Sequence, residues 1–285
     1  MTNPFVRVLV ALIVVFAPTQ ILAQSKTDVL ILGDSQISFG AGAVYLDFFE
    51  NLERNCADVL SREQLAKLGK RRTQAVGVRS TSLHSWVARG GAAKNAVCEV
   101  DKKYGVNAGV YGIPGQKGRK FIQVGKEKGF QYCRKNKSAF EVAFDNPRAW
   151  PKLLILNFLG NAEKRWAESQ SAADTDVQQT LKHIPADIPC VFLTTAPVFA
   201  EATNSRRMTA QTHLERALKK AGGRCRIVKG MTHQTREAIE GKPQFFRRNK
   251  SGKIIDPHHP DQDAIRLFMK STGPALCEAV STGLK

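Results

Sequence analysis

A layered α/β domain with a mostly parallel sheet is the fold class that this 285-residue sequence predicts. Three observations carry that expectation. Short apolar runs, ended by glycine or proline, alternate with segments of helical periodicity, as in βαβ units. About five such runs occur, which fits a flavodoxin-like three-layer α/β/α arrangement with helices on both sheet faces. No stretch of about 20–50 residues repeats, which argues against a solenoid. A composition of 42% hydrophobic and 24% charged residues is that of a globular chain with a sizeable core.

The N-terminus stands apart. "MTNPFVR" carries one positive charge, "VLVALIVVFAPTQI" is a short apolar run, and "ILAQ" places Ala23 before a cut. That is the three-part plan of a secretory signal peptide. The run is short for a bilayer span and Pro18 interrupts it. Residues 1–23 are therefore read as a signal peptide, with no stable membrane span left after cleavage. The protein is expected to be exported, periplasmic or secreted, with residues 24–285 as a single domain.

Within that domain, "TDVLILG" (27–33) reads as a buried strand ended by glycine. Residues 43–69 place Leu46, Phe49, Leu52, Cys56, Val59 and Leu60 at helical spacing, with Gly69 as a stop. Strands follow at 73–79, 150–161, 189–197 and 225–230, and helices at 174–184 and 205–223. A last helix is expected over 260–280, starting at Pro260 and broken or kinked at Pro274. Residues 87–149, rich in glycine and lysine, interrupt the rhythm and read as a small β-rich insertion. Residues 241–256 read as a basic hairpin or loop.

The six cysteines form no CxxC pair, so zinc ribbons and thioredoxin-like sites have no support. An even count in an exported chain suggests disulfides. Cys190 and Cys225 each open a candidate strand, and neighbouring strand starts lie close together. Cys56 and Cys277 lie on the first and last helices, which share a face in a flavodoxin-like sheet. Cys98 and Cys133 then remain to pin the insertion. The net charge is +18, and Arg7 is the one charged residue of the signal, leaving +17. Such a field attracts polyanions. Outside the cytoplasm an acidic glycan suits it better than nucleic acid, for which no recognition motif is present.

In parallel α/β sheets, ligands bind beyond the carboxyl ends of the strands, where Ser35 of "LILGDSQ" falls. A serine nucleophile needs a base held by a third group. His183 and His213 fall within helices, and His84 and His233 near loops. "IIDPHHPDQ" (254–262) puts Asp256 three residues before His259, on a loop entering a helix, so that the carboxylate can reach the imidazole. His258 is the nearer competitor of His259. The adjacent histidines could also bind a metal, but no further ligand cluster of suitable spacing accompanies them.

"GDSQ" near the start and "DPHHP" near the end resemble the GDS and DxxHP blocks of the SGNH hydrolases, also called GDSL esterases and lipases. The resemblance implies a flavodoxin-like fold, with Ser35 as nucleophile, His259 as base and Asp256 as its orienter. Asp34 would shape the turn. It further implies an oxyanion hole from the Ser35 N–H, a backbone N–H after the second strand, and a side-chain amide. In "GVRSTSLHSW" (77–86), Thr81 or, in another alignment, Ser80 takes the family's glycine position. In "NFLGNAE" (157–163), Asn161 is the expected amide, with Asn157 in reserve and Ala162 where the family has a second polar residue. That chemistry calls for no metal and no cofactor. The expected activity is an exported serine esterase acting on an ester substrate, with few apolar stretches left over for a lipid lid. A short acyl group on an acidic glycan fits best. A lipase or acyltransferase of the same family, or a non-catalytic polyanion-binding protein on this fold, are the alternatives.

Overall fold

The computed structural model describes residues 27–89, 96–98, 106–113, 122–124 and 130–284. The expected signal segment lies outside them, as does the basic run 117–120. Seven strands form one sheet: β1 (Val29–Gly33), β2 (Thr73–Val78), β3 (Ala108–Tyr111), β4 (Ile122–Val124), β5 (Leu153–Asn157), β6 (Cys190–Leu193) and β7 (Cys225–Val228). Their order is β4-β3-β2-β1-β5-β6-β7. The five strands β2, β1, β5, β6 and β7 are mutually parallel. Numbered along the chain, their order across the sheet is thus 2-1-3-4-5, the flavodoxin-like arrangement. Both faces are covered, which is why β1 and β5 read as apolar runs and β2 is buried along its whole length.

The period of two in β1 divides the core. Val29 and Ile31 join one apolar cluster with α1 (Gly42–Glu50), α2 (Leu52–Asn55), α3 (Arg62–Leu68), α9 (His233–Ile239) and α10 (Gln262–Gly283). Leu30 and Leu32 join the other with α4 (Leu83–Val87), α5 (Ala139–Ala143), α6 (Glu163–Glu168), α7 (Gln170–His183) and α8 (Glu201–Lys220). Disulfides join Cys56 to Cys277, Cys98 to Cys133 and Cys190 to Cys225. The last of these links directly paired residues at the starts of β6 and β7.

Several elements depart from expectation for local reasons. The helix read over 43–69 is three helices. Asn51 leaves helical geometry (φ −121°, ψ 37°) and its amide turns back to the Asp47 carbonyl at 2.8 Å. Ser61 and Gln64 then form a capping box that starts α3 afresh. Helix α7 begins earlier than expected because Ser169 caps it, and α8 also begins earlier, at Glu201. Helix α10 starts at Gln262, capped by Asp261, rather than at Pro260, and runs through Pro274 unbroken. Pro274 and Lys270, whose carbonyl loses its partner, are both on the exposed face, so water can satisfy it.

Among its described residues, the insertion adds strands to the main sheet. β3 and β4 continue the main sheet antiparallel from the β2 edge. Residues 241–256 contribute to a true hairpin, β8 (Phe246–Arg248) against β9 (Ile254–Pro260). Asp256 and His259 therefore stand on a strand, not on a loop. The hairpin is anchored by Phe246, buried edge-on against Phe199, and by the Phe199 N–H donating to the Pro257 carbonyl at 2.9 Å.

Candidate active site

β1 ends at Gly33, and the chain turns at once into a helical segment that begins with Ser35. Residues Ile37–Ala41 form a wide π-type turn, with Gly40 at φ 138°. Such turns recur at functional positions. The tip of β2 presses directly beneath. A Cβ on Gly77 would stand 2.6 Å from the Asp34 carbonyl oxygen and from the Ser38 nitrogen. Only glycine permits that approach, and it packs the turn that carries Ser35 onto the sheet.

From the other side, β9 delivers His259. Its Nε2 lies 2.9 Å from Ser35 Oγ. Its Nδ1 lies 2.9 and 3.0 Å from the two oxygens of Asp256. With Nδ1–H donating to the carboxylate, Nε2 is left to accept the serine proton. Asp256 is itself held in place, because its Oδ1 accepts the backbone N–H groups of His258 and His259, each at 3.2 Å. The His259 ring stacks on Phe39 with centroids 4.0 Å apart, and the Arg79 guanidinium lies 4.1 Å from the Phe39 centroid. Burial lowers the His259 pKa below its ordinary value, against the opposing pull of Asp256. The imidazole is thereby kept neutral, the form that can take a proton.

A cleft of about 390 Å³ opens over Ser35, lined among others by Phe39, Arg79, Ser80, Gly160, Asn161 and His259. The two alignments after β2 part here. Ser80 has φ 58°, the left-handed region that glycine favours, and it faces the cleft. Thr81 is buried, its hydroxyl bonded to the Val78 carbonyl at 2.8 Å. Its own carbonyl accepts Asn161 Nδ2 at 2.8 Å. That bond orients the Asn161 amide and leaves its second N–H for another acceptor. Asn157 is buried, and its amide is committed to the Leu193 carbonyl at 2.8 Å.

Behind the serine lies a buried polar layer that sequence reasoning had not singled out. Gln36 Nε2 donates to the Ala196 carbonyl at 3.1 Å and to that of His258 at 3.4 Å, while its Oε1 accepts the Ala196 N–H at 3.0 Å. It ties together the loops after β1 and β6 and the strand carrying His259. Arg207, 5% exposed, bonds Glu163 at 2.9 Å and the Ala196 carbonyl at 3.0 Å. A signal for Arg207 was present, since it falls on the stripe continued by Ala210, Leu214 and Ala217. Asp34 is fully buried and accepts the Gln36 N–H at 2.9 Å. Burial pushes its pKa up to about 6, although Gln36, Arg207 and the nearby Leu159 and Gly160 N–H dipoles favour the carboxylate. Those two dipoles act through space, since Asp34 Oδ2 has no hydrogen-bond partner.

His258 lines the same cleft, but it is the His259 ring that meets Ser35 and Asp256; the remaining four histidines stand elsewhere. His213 bonds the Trp166 carbonyl, His84 lies 3.5 Å from Asp176, His233 is open to solvent, and His183 ends α7. Among the described residues no group of three or more His, Cys, Asp or Glu side chains could hold a metal ion. None of their helices is long and apolar enough to cross a membrane.

No family profile and no curated protein matches the sequence. Among solved structures, the chain is similar to a family two carbohydrate esterase from Clostridium thermocellum in complex with cellohexaose. Identity there is 9% and the TM-score 0.42, over 90% of this chain and 66% of that one. It is also similar to a DUF4886 family protein from Bacteroides uniformis ATCC 8492, at 10% identity and TM-score 0.45, over 91% and 93% of the two chains. A family two carbohydrate esterase from Cellvibrio japonicus follows at 14% identity and TM-score 0.45, over 90% and 62%. The chain thus spans a little under two thirds of the length of the two esterases.

Proposed function

We propose that this chain is an exported serine esterase that removes a short acyl group, such as O-acetyl, from a glycan or a small ester. The observation that carries the reading is the Ser35–His259–Asp256 chain of contacts, with each link near 2.9 Å. In the first half-reaction, His259 Nε2 takes the Ser35 proton as Oγ attacks the ester carbonyl. The tetrahedral oxyanion is held by the N–H groups of Ser35 and Ser80 and by the Asn161 amide. His259 then returns the proton to the departing alcohol, leaving an acyl-serine. Water, activated by the same imidazole, releases the acid and restores Ser35. Asp256 keeps the imidazole in the required tautomer and stabilises its charged form. The mainly polar lining of the cleft, with Arg79, Ser80, Asn161, Glu163 and Arg207, favours a short acyl group over a long apolar one, and three disulfides suit an oxidising compartment.

The test is hydrolysis of p-nitrophenyl esters from acetyl to dodecanoyl, comparing the wild-type chain with Ser35→Ala and His259→Ala. Activity confined to short esters is expected, with kcat lower by roughly 10⁴-fold or more in each variant. Absence of both turnover and a fluorophosphonate adduct on Ser35 would falsify the esterase reading. A peak on long acyl chains would redirect it to a lipase.

A further inference from the structure

We infer that the β8–β9 hairpin is a docking arm for an acidic polysaccharide, one that presents its ester-bearing residues to Ser35. This deepens the esterase reading and rests on it for the destination of the polymer, but not for the binding itself. From Gly241 to Ile255 the chain contains five cations and no acid: Lys242, Arg247, Arg248, Lys250 and Lys253. The last four are exposed. They take part in none of the ion pairs that occupy cations elsewhere, such as Arg89 with Glu141, Arg134 with Asp145, Lys220 with Asp174 and Arg236 with Glu240. These four cations thus stand outside the ion pairs, and in sequence they lead straight into Asp256 and His259.

The arm is also ordered. Asn249 Oδ1 accepts the Ser251 and Lys253 N–H groups at 3.1 and 2.9 Å, and the Asn249 N–H donates to the Lys253 carbonyl at 2.9 Å. Gly252 takes φ 84° to close the turn. A fixed set of charges loses less entropy on binding than flexible ones. Arg247 stands opposite Asp256 in the hairpin register, with a register shift on either side of it, which brings this end of the cation row next to the strand that carries Asp256 and His259. Lys250 lies in the turn beyond the end of β8, so the cations run from beside Asp256 to the tip of the hairpin. Charges spread along that row match repeated carboxylates on an extended chain better than one small anion in the cleft. A membrane surface is the poorer match. Interfacial binding needs a continuous apolar face, whereas Ile255 is the single large exposed apolar side chain between Gly241 and Pro260.

The experiment measures affinity of the wild-type chain for unacetylated polygalacturonate at low and moderate salt, beside two matched variants. One is the hairpin variant Arg247→Gln, Arg248→Gln, Lys250→Gln, Lys253→Gln. The other removes the same charge from exposed sites elsewhere: Lys182→Gln, Arg216→Gln, Lys219→Gln, Arg226→Gln. Affinity should fall at least tenfold in the hairpin variant and less than threefold in the other, with a shallower salt dependence in the former. Equal losses in both would overturn the proposal in favour of net charge. So would an unchanged hairpin variant, or binding to phosphatidylglycerol vesicles without binding to the polymer. Because polygalacturonate carries no acyl ester, failed p-nitrophenyl ester hydrolysis with hairpin-dependent binding would remove the esterase and leave the arm. Hydrolysis without hairpin-dependent binding would do the reverse.

Discussion

At the scale of single residues, the site depends on a few atoms with no slack. Asn161 spends one amide hydrogen on the Thr81 carbonyl and leaves the other for a second acceptor, the oxyanion in the reaction proposed above. Asn161→Ala should therefore lower kcat by about 10²–10³ with KM little changed, read by steady-state kinetics on p-nitrophenyl acetate. Ser80 holds a left-handed backbone that costs a non-glycine residue roughly 1 kcal/mol. Ser80→Gly should keep the activity, because the donor is main chain, and should raise the unfolding free energy by up to about 1 kcal/mol in denaturant titration. Phe39 covers one face of the His259 imidazole. Wild-type kcat/KM should lose its acid limb below the ordinary histidine value of 6.5, since burial lowers the His259 pKa. Phe39→Ala admits water to the ring, eases that depression and moves the limb to higher pH. A pH–rate profile that does not move would show that the stacking has no part in setting the base.

At the scale of elements, β1, β5 and β6 were legible because burial on both faces writes them as apolar runs. Ser35, His259 and Asp256 were legible because short, unusual motifs surround them. The break at Asn51 was not, since its cause is one side chain turning back on its own backbone within an otherwise regular helical pattern. Gln36 and Arg207 were missed for a related reason. Their partners, Ala196 and Glu163, are distant in sequence, and only the fold brings them to the same place. The hairpin was read in outline, but the strand pairing that fixes Asp256 and His259 requires contacts from Phe199 and Phe246. The disulfides admit a ranking at this scale. Cys56–Cys277 spans 221 residues and Cys190–Cys225 spans 35. By loop entropy they stabilise by about 5 and about 4 kcal/mol. Replacing each pair by serine should lower the unfolding free energy in that order, measured in guanidinium.

At the scale of the whole molecule, the buried Asp34 couples the site to global stability. Its folded pKa, about 6, lies above the ordinary 3.8. The folded state therefore holds this proton more tightly than the unfolded one. The resulting stabilisation is complete below about pH 4 and is lost as pH rises through about 6. Unfolding free energies measured between pH 4 and 7 should show that decline superimposed on the other titrations, and Asp34→Asn should flatten it (pH values about those of the two pKa limits). The strand order carries a different consequence. β1 sits between β2 and β5, and among the described residues no other strand joins the three-stranded half β4-β3-β2 to the three-stranded half β5-β6-β7. The strand that leads into Ser35 is thus the seam of the sheet. A molecule whose two halves are joined has Ser35 seated against His259, and one that lets β1 go comes apart down the middle, so loss of that contact and global unfolding are one event.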